Sequence, residues 1–317
     1  MRQRSLEASG FERYRKKTRK EVFLEKMDQL IPWKELTAAI EPFYPKPEGA
    51  GRRPLGIERM LRIYFLQHWF QLSDPGAEEA LYDSRALRTF VGIDLGNEPV
   101  PDETTILKFR HLLEQHNLGE QLFVLTNRYL EENGFKVSRG TIVDATIIDA
   151  PSSTKNQEQA RDPEMCQTRK GNQWYFGMKA HIGVDSRTKL IHTVVATAAN
   201  VHDSQVLEDL LHGGETRVWG DSAYTGQSAQ IARAAPGAQD FTNRKGYKNK
   251  PLSEEERAKN RTKSKVRAKV EHAFRILKCQ FGMVKLRYRG LHKNANHLFA
   301  ACALVNLAMA SRRWRAA

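Results

Sequence analysis

The sequence predicts an α/β protein in two parts, an all-helical part followed by a mixed β-sheet flanked by helices. Apolar residues recur at helical spacing from about residue 21 to 134. Beyond residue 139, runs of β-branched residues of strand length alternate with helical stretches. Gly134, a residue type that is typical just after a helix, marks the change between the two patterns.

Four capped helices are predicted in the helical part, over residues 56–72, 73–92, 101–116 and 119–134. Asp74, which precedes Pro75, and Asp102 are the expected N-caps of the second and third helices. Short capped helices with a basic exposed side favour a helix-turn-helix-like DNA-binding domain over residues 21–135. A bundle that only packs or dimerises is the alternative, because no recognition helix stands out.

The second part is predicted to form one domain over residues 139–310. Its expected elements are a strand at 141–149, a hairpin at 176–199, a helix at 202–213, a strand at 216–226, a helix at 226–235, a short strand near 238–243, a basic loop at 244–263 and a helix at 264–280. The order β-β-β-α-β-α-β-α is that of an RNase H-like fold.

Charge is the most unusual property of the composition, with a net +14 and a pI near 9.7. Residues 244–290 hold 16 basic and 4 acidic residues, and residues 1–20, the predicted basic arm, hold 8 basic and 2 acidic ones. Such an excess indicates a polyanionic partner, most simply double-stranded DNA that the protein contacts at two places. A merely basic enzyme is the alternative.

The cysteines and the apolar stretches exclude several classes of protein. Cys166, Cys279 and Cys302 lack the spacing of a disulfide scaffold or a structural zinc site. The N-terminus lacks an apolar signal-peptide region, and the apolar stretch 298–310 is short for a membrane span and contains Asn306. We therefore expect a cytoplasmic protein without membrane contact, associated with the nucleoid.

Asp144 is the first candidate site residue because it stands in the middle of the β-branched run 141–149. A buried ionised carboxylate costs several kcal/mol unless a cation neutralises it. Alternation along the strand places Asp144 on the face of Ile142 and Ile148. Asp149 has the opposite parity and is the less favoured alternative.

Two further carboxylates stand where they could join Asp144. Asp221 follows an apolar strand, although it could simply cap the next turn. Glu271 lies on the predicted helix 264–280 between Arg267 and Lys278, although such a pattern is usually a surface salt-bridge ladder. Brought together, the three carboxylates could hold two Mg²⁺ or Mn²⁺ ions about 4 Å apart.

Five stretches strongly resemble the DDE transposases of bacterial insertion sequences. They are "VDATIIDAPSSTK", "GNQWYFGMKAHIGVD", "ANVHD", "GDSAYTG" and "VRAKVEHAFRILKCQFG". The resemblance is nearest to the insertion-sequence-5 type of the IS-four superfamily and extends from about residue 18 to 305. It implies that Asp144, Asp221 and Glu271 are the catalytic, metal-binding triad.

The superfamily signature Tyr-x2-Arg-x3-Glu-x6-Lys places its arginine on Arg267 and its lysine on Lys278, with Ser264 in place of the tyrosine. The resemblance implies a transposase that binds terminal inverted repeats, cleaves at the element ends and joins the 3′-hydroxyl to target DNA. It also implies two Mg²⁺ (or Mn²⁺) ions per active site and a homodimer in a synaptic complex. The alternatives are a catalytically inactive DNA-binding regulator and an RNase H-like nuclease without strand transfer.

Six basic residues are the candidate DNA contacts: Arg267, Lys278, Lys179, Lys245, Lys248 and Lys250. Aromatic residues at 174–176 could stack on unpaired bases, although core packing is equally expected for at least two of them. Among the histidines, His202 beside Asp203 is the one most expected to line the site.

Overall fold

The computed structural model describes residues 16–46, 53–135 and 138–313. Seven helices precede the sheet within these residues: α1 Arg19–Leu30, α2 Trp33–Ile40, α3 Ile57–Phe70, α4 Asp74–Asp83, α5 Arg85–Val91, α6 Glu103–Gln115 and α7 Leu118–Glu132. The predicted helix 73–92 is thus two helices, α4 and α5. Most of the predicted basic arm lies outside the described residues, and its last two residues begin α1.

Caps explain where these helices begin and end. The Asp102 carboxylate accepts a hydrogen bond from the Thr105 N–H (2.7 Å) at the start of α6, as predicted. At α4 the prediction was wrong, because the Ser73 hydroxyl accepts from the Gly76 N–H (3.1 Å) and Asp74 is already helical. Gly134 follows α7 with φ +89°, a conformation that a residue without a Cβ adopts without strain.

In the part of the chain that the structure describes, six strands form a single mixed sheet: β1 Gly140–Asp149, β2 Cys166–Lys170, β3 Gln173–Asp185, β4 Ile191–Ala198, β5 Arg217–Trp219 and β6 Gln239–Asp240. Their order is β2-β3-β1-β5-β6, with β4 also paired to β3. The contacts of β3 with β1, β2 and β4 are antiparallel, whereas β5 is parallel to both β1 and β6. This arrangement fits the predicted RNase H-like fold.

Strand β2 was not predicted from the sequence. Its residues, CQTRK, are polar and present no apolar face, so neither alternation nor hydrophobicity indicates a strand. Pairing to β3 holds it in place, with Cys166 opposite Gly177 and Lys170 opposite Gln173. The β2–β3 hairpin therefore extends the sheet beyond the end of β1.

The elements that follow strand β4 in the chain differ from the prediction in several places. The structure has α8 Ser228–Ala234, α9 Glu254–Arg267, α10 Glu271–Arg275 and α11 Leu291–Ala310. The predicted helix 202–213 is two short 3-10 turns. The predicted loop 244–263 becomes helical from Glu254, where Ser253 and Glu256 form a capping box.

The predicted helix 264–280 is not continuous. A 3-10 turn at Ala268–Val270 separates α9 from α10, and a π-helical turn at Ile276–Gln280 follows α10. The segment buries the apolar residues Val270, Ala273 and Leu277. The 3-10 turn contacts β1.

The larger of two hydrophobic clusters among the described residues joins the helical part to the sheet, because α11 packs against both α7 and β4. Asn306 of α11, which is 0% exposed, donates to Asn127 of α7 and to the Ile191 carbonyl of β4 (both 2.7 Å). Its own oxygen accepts from the Ile191 N–H (2.8 Å). Within the described residues, no helix is long and apolar enough to cross a membrane.

Candidate active site

Asp144 lies in the middle of β1, opposite Ile182 of β3, and is only 9% exposed. Its Oδ1 accepts from the Ala145 N–H (2.9 Å), and its Oδ2 accepts from Arg267 Nη1 (2.6 Å). Burial raises the pKa of Asp144 to about 6, against the opposing effect of Arg267. The cation that the sequence requires beside this carboxylate is therefore, in this structure, the Arg267 guanidinium.

Asp221 follows β5 by two residues. Because β5 is parallel to β1 with Ile142 opposite Trp219, extending that register by two residues places Asp221 level with Asp144. Gly220 permits this turn, since a Cβ there would lie 2.9 Å from the ring of Tyr224. The Asp221 Oδ1 accepts from the Ala223 N–H (2.8 Å), so the capping role that the sequence left open is present and occupies one oxygen.

Glu271 is the first residue of α10, and its side chain is 62% exposed. Arg267, one helical turn earlier, places Nη1 3.9 Å from Glu271 Oε1 while it contacts Asp144. The salt bridge that the sequence analysis gave as the alternative for Glu271 is thus present but long. The main carboxylate partner of Arg267 is Asp144, which is 123 residues away along the chain.

The fold brings the three carboxylates into one electrostatic neighbourhood, because Asp221 and Glu271 both act to raise the pKa of Asp144. Among residues 16–46, 53–135 and 138–313, however, no group of three or more His, Cys, Asp or Glu side chains is arranged to hold a metal ion. Asp149 lies apart at the end of β1, where its backbone pairs with Val284 and Leu286. The site is an acidic cluster with an arginine among its members.

A profile of the family described as transposase DDE domain matches residues 136–307, which is more than half of the chain. The chain belongs to the DDE transposase family. Residues 12–112 of this DDE transposase also match the family described as transposase domain (DUF772). The chain is similar to a piggyBac transposase in a synaptic complex with hairpin DNA, with a TM-score of 0.46, 8% identity, and coverage of 92% of this chain and 75% of that one.

Five of the six predicted DNA contacts of the transposase fall into two groups. Lys245, Lys248 and Lys250 lie exposed on the turn before α9, where Lys245 and Lys250 line a cavity of about 490 Å³ with Tyr247. Arg267 and Lys278 lie against the site, where Lys278 Nζ donates to the Ile147 carbonyl (2.6 Å). Burial lowers the pKa of Lys278.

Lys179 differs from the other five, because its ammonium group is already paired within the fold. Its Nζ donates to Asp203 Oδ1 (2.8 Å) and to the Val201 carbonyl (2.7 Å), and its side chain is mostly buried. A contact between Lys179 and DNA would require breaking this ion pair. The geometry therefore gives that prediction no support.

Sequence reasoning missed Tyr224, which the transposase buries completely beside the acidic cluster. Burial raises its pKa strongly, and Asp203, Asp144 and Asp221 raise it further. Its hydroxyl is buried without a hydrogen-bond partner among the described residues. The only available signal was the aromatic residue within "GDSAYTG".

His202 and Asp203 have separate roles. The His202 ring accepts from the Ser204 N–H (3.3 Å) and caps the turn, with its side chain exposed to solvent. Asp203 is the member of the pair that lies near the site, because it forms an ion pair with Lys179 and its charge raises the pKa of Tyr224. The expectation that His202 lines the site has no support in this geometry.

Proposed function

We propose that this DDE transposase binds the terminal inverted repeats of an insertion sequence, cleaves at the element ends and joins each 3′-hydroxyl to target DNA. The observation that carries the proposal is the convergence of Asp144, Asp221 and Glu271 from two strands and one helix. The spacing of Arg267, Glu271 and Lys278 supports the insertion-sequence-5 type within the IS-four superfamily.

Divalent ions, Mg²⁺ or Mn²⁺, fit the chemistry of this cluster. The donors are carboxylate oxygens, the ligands that these hard cations prefer, and like charges already disfavour ionisation of the buried Asp144. Asp144, Asp221 and Glu271 would hold two ions, with the exposed Glu271 side chain free to turn inward. When bound, such ions activate the attacking oxygen and stabilise the leaving oxygen of a phosphodiester.

Arg267 has two roles in this proposal. Without a bound ion it neutralises Asp144, and beside DNA its planar fork of donors suits a phosphate oxygen. Lys278 contributes a second positive charge on the same side of β1. Ser264, at the signature's tyrosine position, accepts from Asn243 Nδ2 (2.9 Å) and so belongs to the scaffold of α9.

The remaining proposed contacts with DNA are inferred from where positive charge is concentrated along the chain. Residues 1–20 and the helical part, residues 21–135, would bind the inverted repeats, and residues 139–310 would carry the catalytic domain with the basic segment 244–263. Two element ends must be processed together, so we expect a homodimer in the synaptic complex. Because its substrate would be chromosomal DNA, we expect the protein to act at the nucleoid in the cytoplasm.

The test is incubation of the purified protein with its own flanking DNA ends and Mg²⁺. Asp144→Asn, Asp221→Asn and Glu271→Gln should each reduce nicking and joining by at least about 100-fold, because each removes a carboxylate that would hold the metal ions. End binding should stay nearly unchanged. Asp209→Asn, which alters an exposed carboxylate of the same domain, is the matched control and should remain active.

Two other outcomes identify the rival functions. Intact end binding without any nicking by the wild type would identify a DNA-binding regulator, which the Arg267 contact with Asp144 would then explain. Cutting without joining of pre-cut ends would identify an RNase H-like nuclease. Cleavage by Asp144→Ala in Mg²⁺ would show that the triad is wrongly assigned.

A further inference from the structure

A cavity of about 510 Å³ lies where β1 ends and the β2–β3 hairpin extends beyond it. Its lining includes Pro151, Arg161, Trp174, Phe176 and Lys285. It is distinct from the acidic cluster, which lies five residues earlier on β1. The residues around it combine aromatic rings, cations and one carboxylate.

The aromatic side chains of the cavity are unusually accessible. Trp174 is 64% exposed, more than any other large apolar side chain among the described residues. Phe176 is half-buried, with the Arg161 guanidinium 5.4 Å from its ring centroid, and Arg169 lies 6.0 Å from the ring of Trp174. Core packing therefore accounts for Phe176 only in part and for Trp174 hardly at all. Exposed rings beside guanidinium groups are suited to stacking on nucleobases.

The register of the sheet places these rings on the same face as the acidic cluster. Asp144 is opposite Ile182, and Ile148 is opposite Met178. Alternation along β3 then continues that face to Phe176 and Trp174. At about 3.3 Å per residue, Phe176 lies roughly 20 Å from the level of Asp144, the length of about six nucleotides of a B-form strand.

Charge favours a polyanion on the path between the two places. Lys278 lies against β1 at Ile147, between Asp144 and the cavity, and Lys285 lines the cavity itself. Asp149 is the carboxylate of the lining. The nearby acidic residues Glu158, Asp162 and Glu164 are engaged, with the Arg289 side chain, the Gly290 N–H and the Leu291 N–H respectively. Within the lining of the cavity itself, two cations, Arg161 and Lys285, stand against one carboxylate, Asp149.

We propose that the cavity receives an unpaired nucleobase of the DNA end, which stacks on Trp174 beside Phe176 while Arg161 and Lys285 contact its phosphates. This inference rests on the proposed function, because it requires that the acidic cluster acts on DNA. Stacking tolerates any base, so the site would read the unpaired state of the strand and not its sequence. Because Trp174 lies two residues beyond Phe176 on β3, the site would hold a strand that has separated from its complement within about eight nucleotides of the cut.

The test uses the full chain in EDTA with DNA ends that carry 2-aminopurine at each of the eight positions nearest the cut, either paired or unpaired. Binding of the DNA end should quench the tryptophan fluorescence of the wild-type protein. It should also change the 2-aminopurine fluorescence of the DNA at one or two unpaired positions. Trp174→Ala should abolish both signals and weaken binding of the unpaired end about 5- to 150-fold, the range for loss of one stacked base. Its affinity for fully paired DNA should not change.

Two variants serve as controls. Trp174→Phe keeps a stacking ring and should retain most of the affinity for the unpaired end. Arg233→Ala removes an exposed side chain of α8, which pairs with Glu208, and should leave both affinities unchanged. Thermal melting of Trp174→Ala should match that of the wild type, since the side chain is largely exposed.

The outcomes separate this inference from the proposed function. Equal loss for paired and unpaired DNA, or no loss at all, would overturn the stacking site while cleavage by the wild type still supported a transposase. Failure of the wild type to bind any DNA end would overturn both. If Trp174→Ala loses affinity only for the unpaired end, the stacking site is supported. If Asp144→Ala still cleaves in the same assays, the triad is overturned.

Discussion

Asp144 is a buried carboxylate that pairs with one guanidinium and one backbone N–H, inside a strand that also buries Ile142, Val143 and Ile148. Its pKa, raised to about 6 by burial, shows that the ionised form is less stable in the folded protein than in water. A residue kept for stability alone would not have this property. The position is therefore one where the protein loses stability while keeping a group that can bind a cation.

This gives a stability prediction for Asp144→Asn in EDTA. The folded pKa of about 6 lies above the unfolded value of about 3.9, so the native state binds more protons between these pH values. The contribution of Asp144 to the free energy of unfolding is thus largest below about pH 4 and falls as pH rises to about 6. Above pH 6 the free energy of unfolding is lower by about 3 kcal/mol than below pH 4, because the folded and unfolded pKa values of Asp144 differ by roughly two.

Urea unfolding of the wild type and the variant across pH 4–8 measures this difference. The stability of Asp144→Asn relative to the wild type should rise through that window and then level off. Parallel curves for the two proteins would show that the carboxylate does not carry the pH dependence. Asp209→Asn, with its exposed side chain, should follow the wild type throughout.

At the scale of the single element, α9 is a helix without a buried residue. Its first turn holds Glu254, Glu255 and Glu256, and several of its cations pair with them, including Lys259 with Glu255 and Arg261 with Glu254. Charges of these signs at the two ends complement the helix dipole. Half of the predicted basic loop is therefore a helix whose cations are partly neutralised.

The lysines on the preceding turn should consequently dominate DNA binding by this segment. Replacing Lys245, Lys248 and Lys250 with glutamate should reduce the slope of log K against log salt by up to about 3, since each phosphate contact contributes about 0.9. Lys259→Glu, at a cation already paired with Glu255, is the control and should change the slope less. An unchanged slope in the triple variant would remove this turn from the interface.

Over the whole molecule, α11 connects the helical part to the sheet. The buried Asn306 satisfies both backbone groups of Ile191 in β4 and also bonds to Asn127 in α7. The same asparagine that argued against a membrane span is thus a structural link. Because the two parts share one core, the proposed boundary between residues 135 and 139 separates functions more than it separates folding units.

Asn306→Ala should therefore destabilise both parts together. It removes the Asn306 partner of the buried Ile191 N–H, while the Ile191 carbonyl keeps the hydrogen bond from Asn127 Nδ2 (3.1 Å), so we expect a cost of about 1–3 kcal/mol. Unfolding followed by tryptophan fluorescence, which senses Trp33 and Trp69 in the helical part, and by far-UV circular dichroism should show one coincident, lowered transition. Two separate transitions would instead show independent domains, and Asn249→Ala, at an exposed site, should leave the midpoint unchanged.

Much of this architecture could be predicted because its causes are local. Strand β1, the β3–β4 hairpin, the helices α3, α6 and α7 and the Asp102 cap all follow from periodicity and caps within a few residues. The candidate triad could be chosen for the same reason, since Asp144 and Asp221 stand out against apolar strands. Strand β2 and helix α9 were missed because neither has an apolar face, although the capping box at Ser253 was readable.

By itself, then, the sequence determined most of the strands and helices, the choice of three candidate carboxylates and the excess of positive charge. Only the tertiary structure decided that Arg267 neutralises Asp144, that Lys179 pairs with Asp203, and that Trp174 faces solvent on the side of the acidic cluster. The reason is physical: helix and strand patterns arise from interactions between near neighbours, whereas these contacts depend on how distant segments pack. Asp144 and Arg267 meet across 123 residues, and nothing in the spacing of the sequence specifies that meeting.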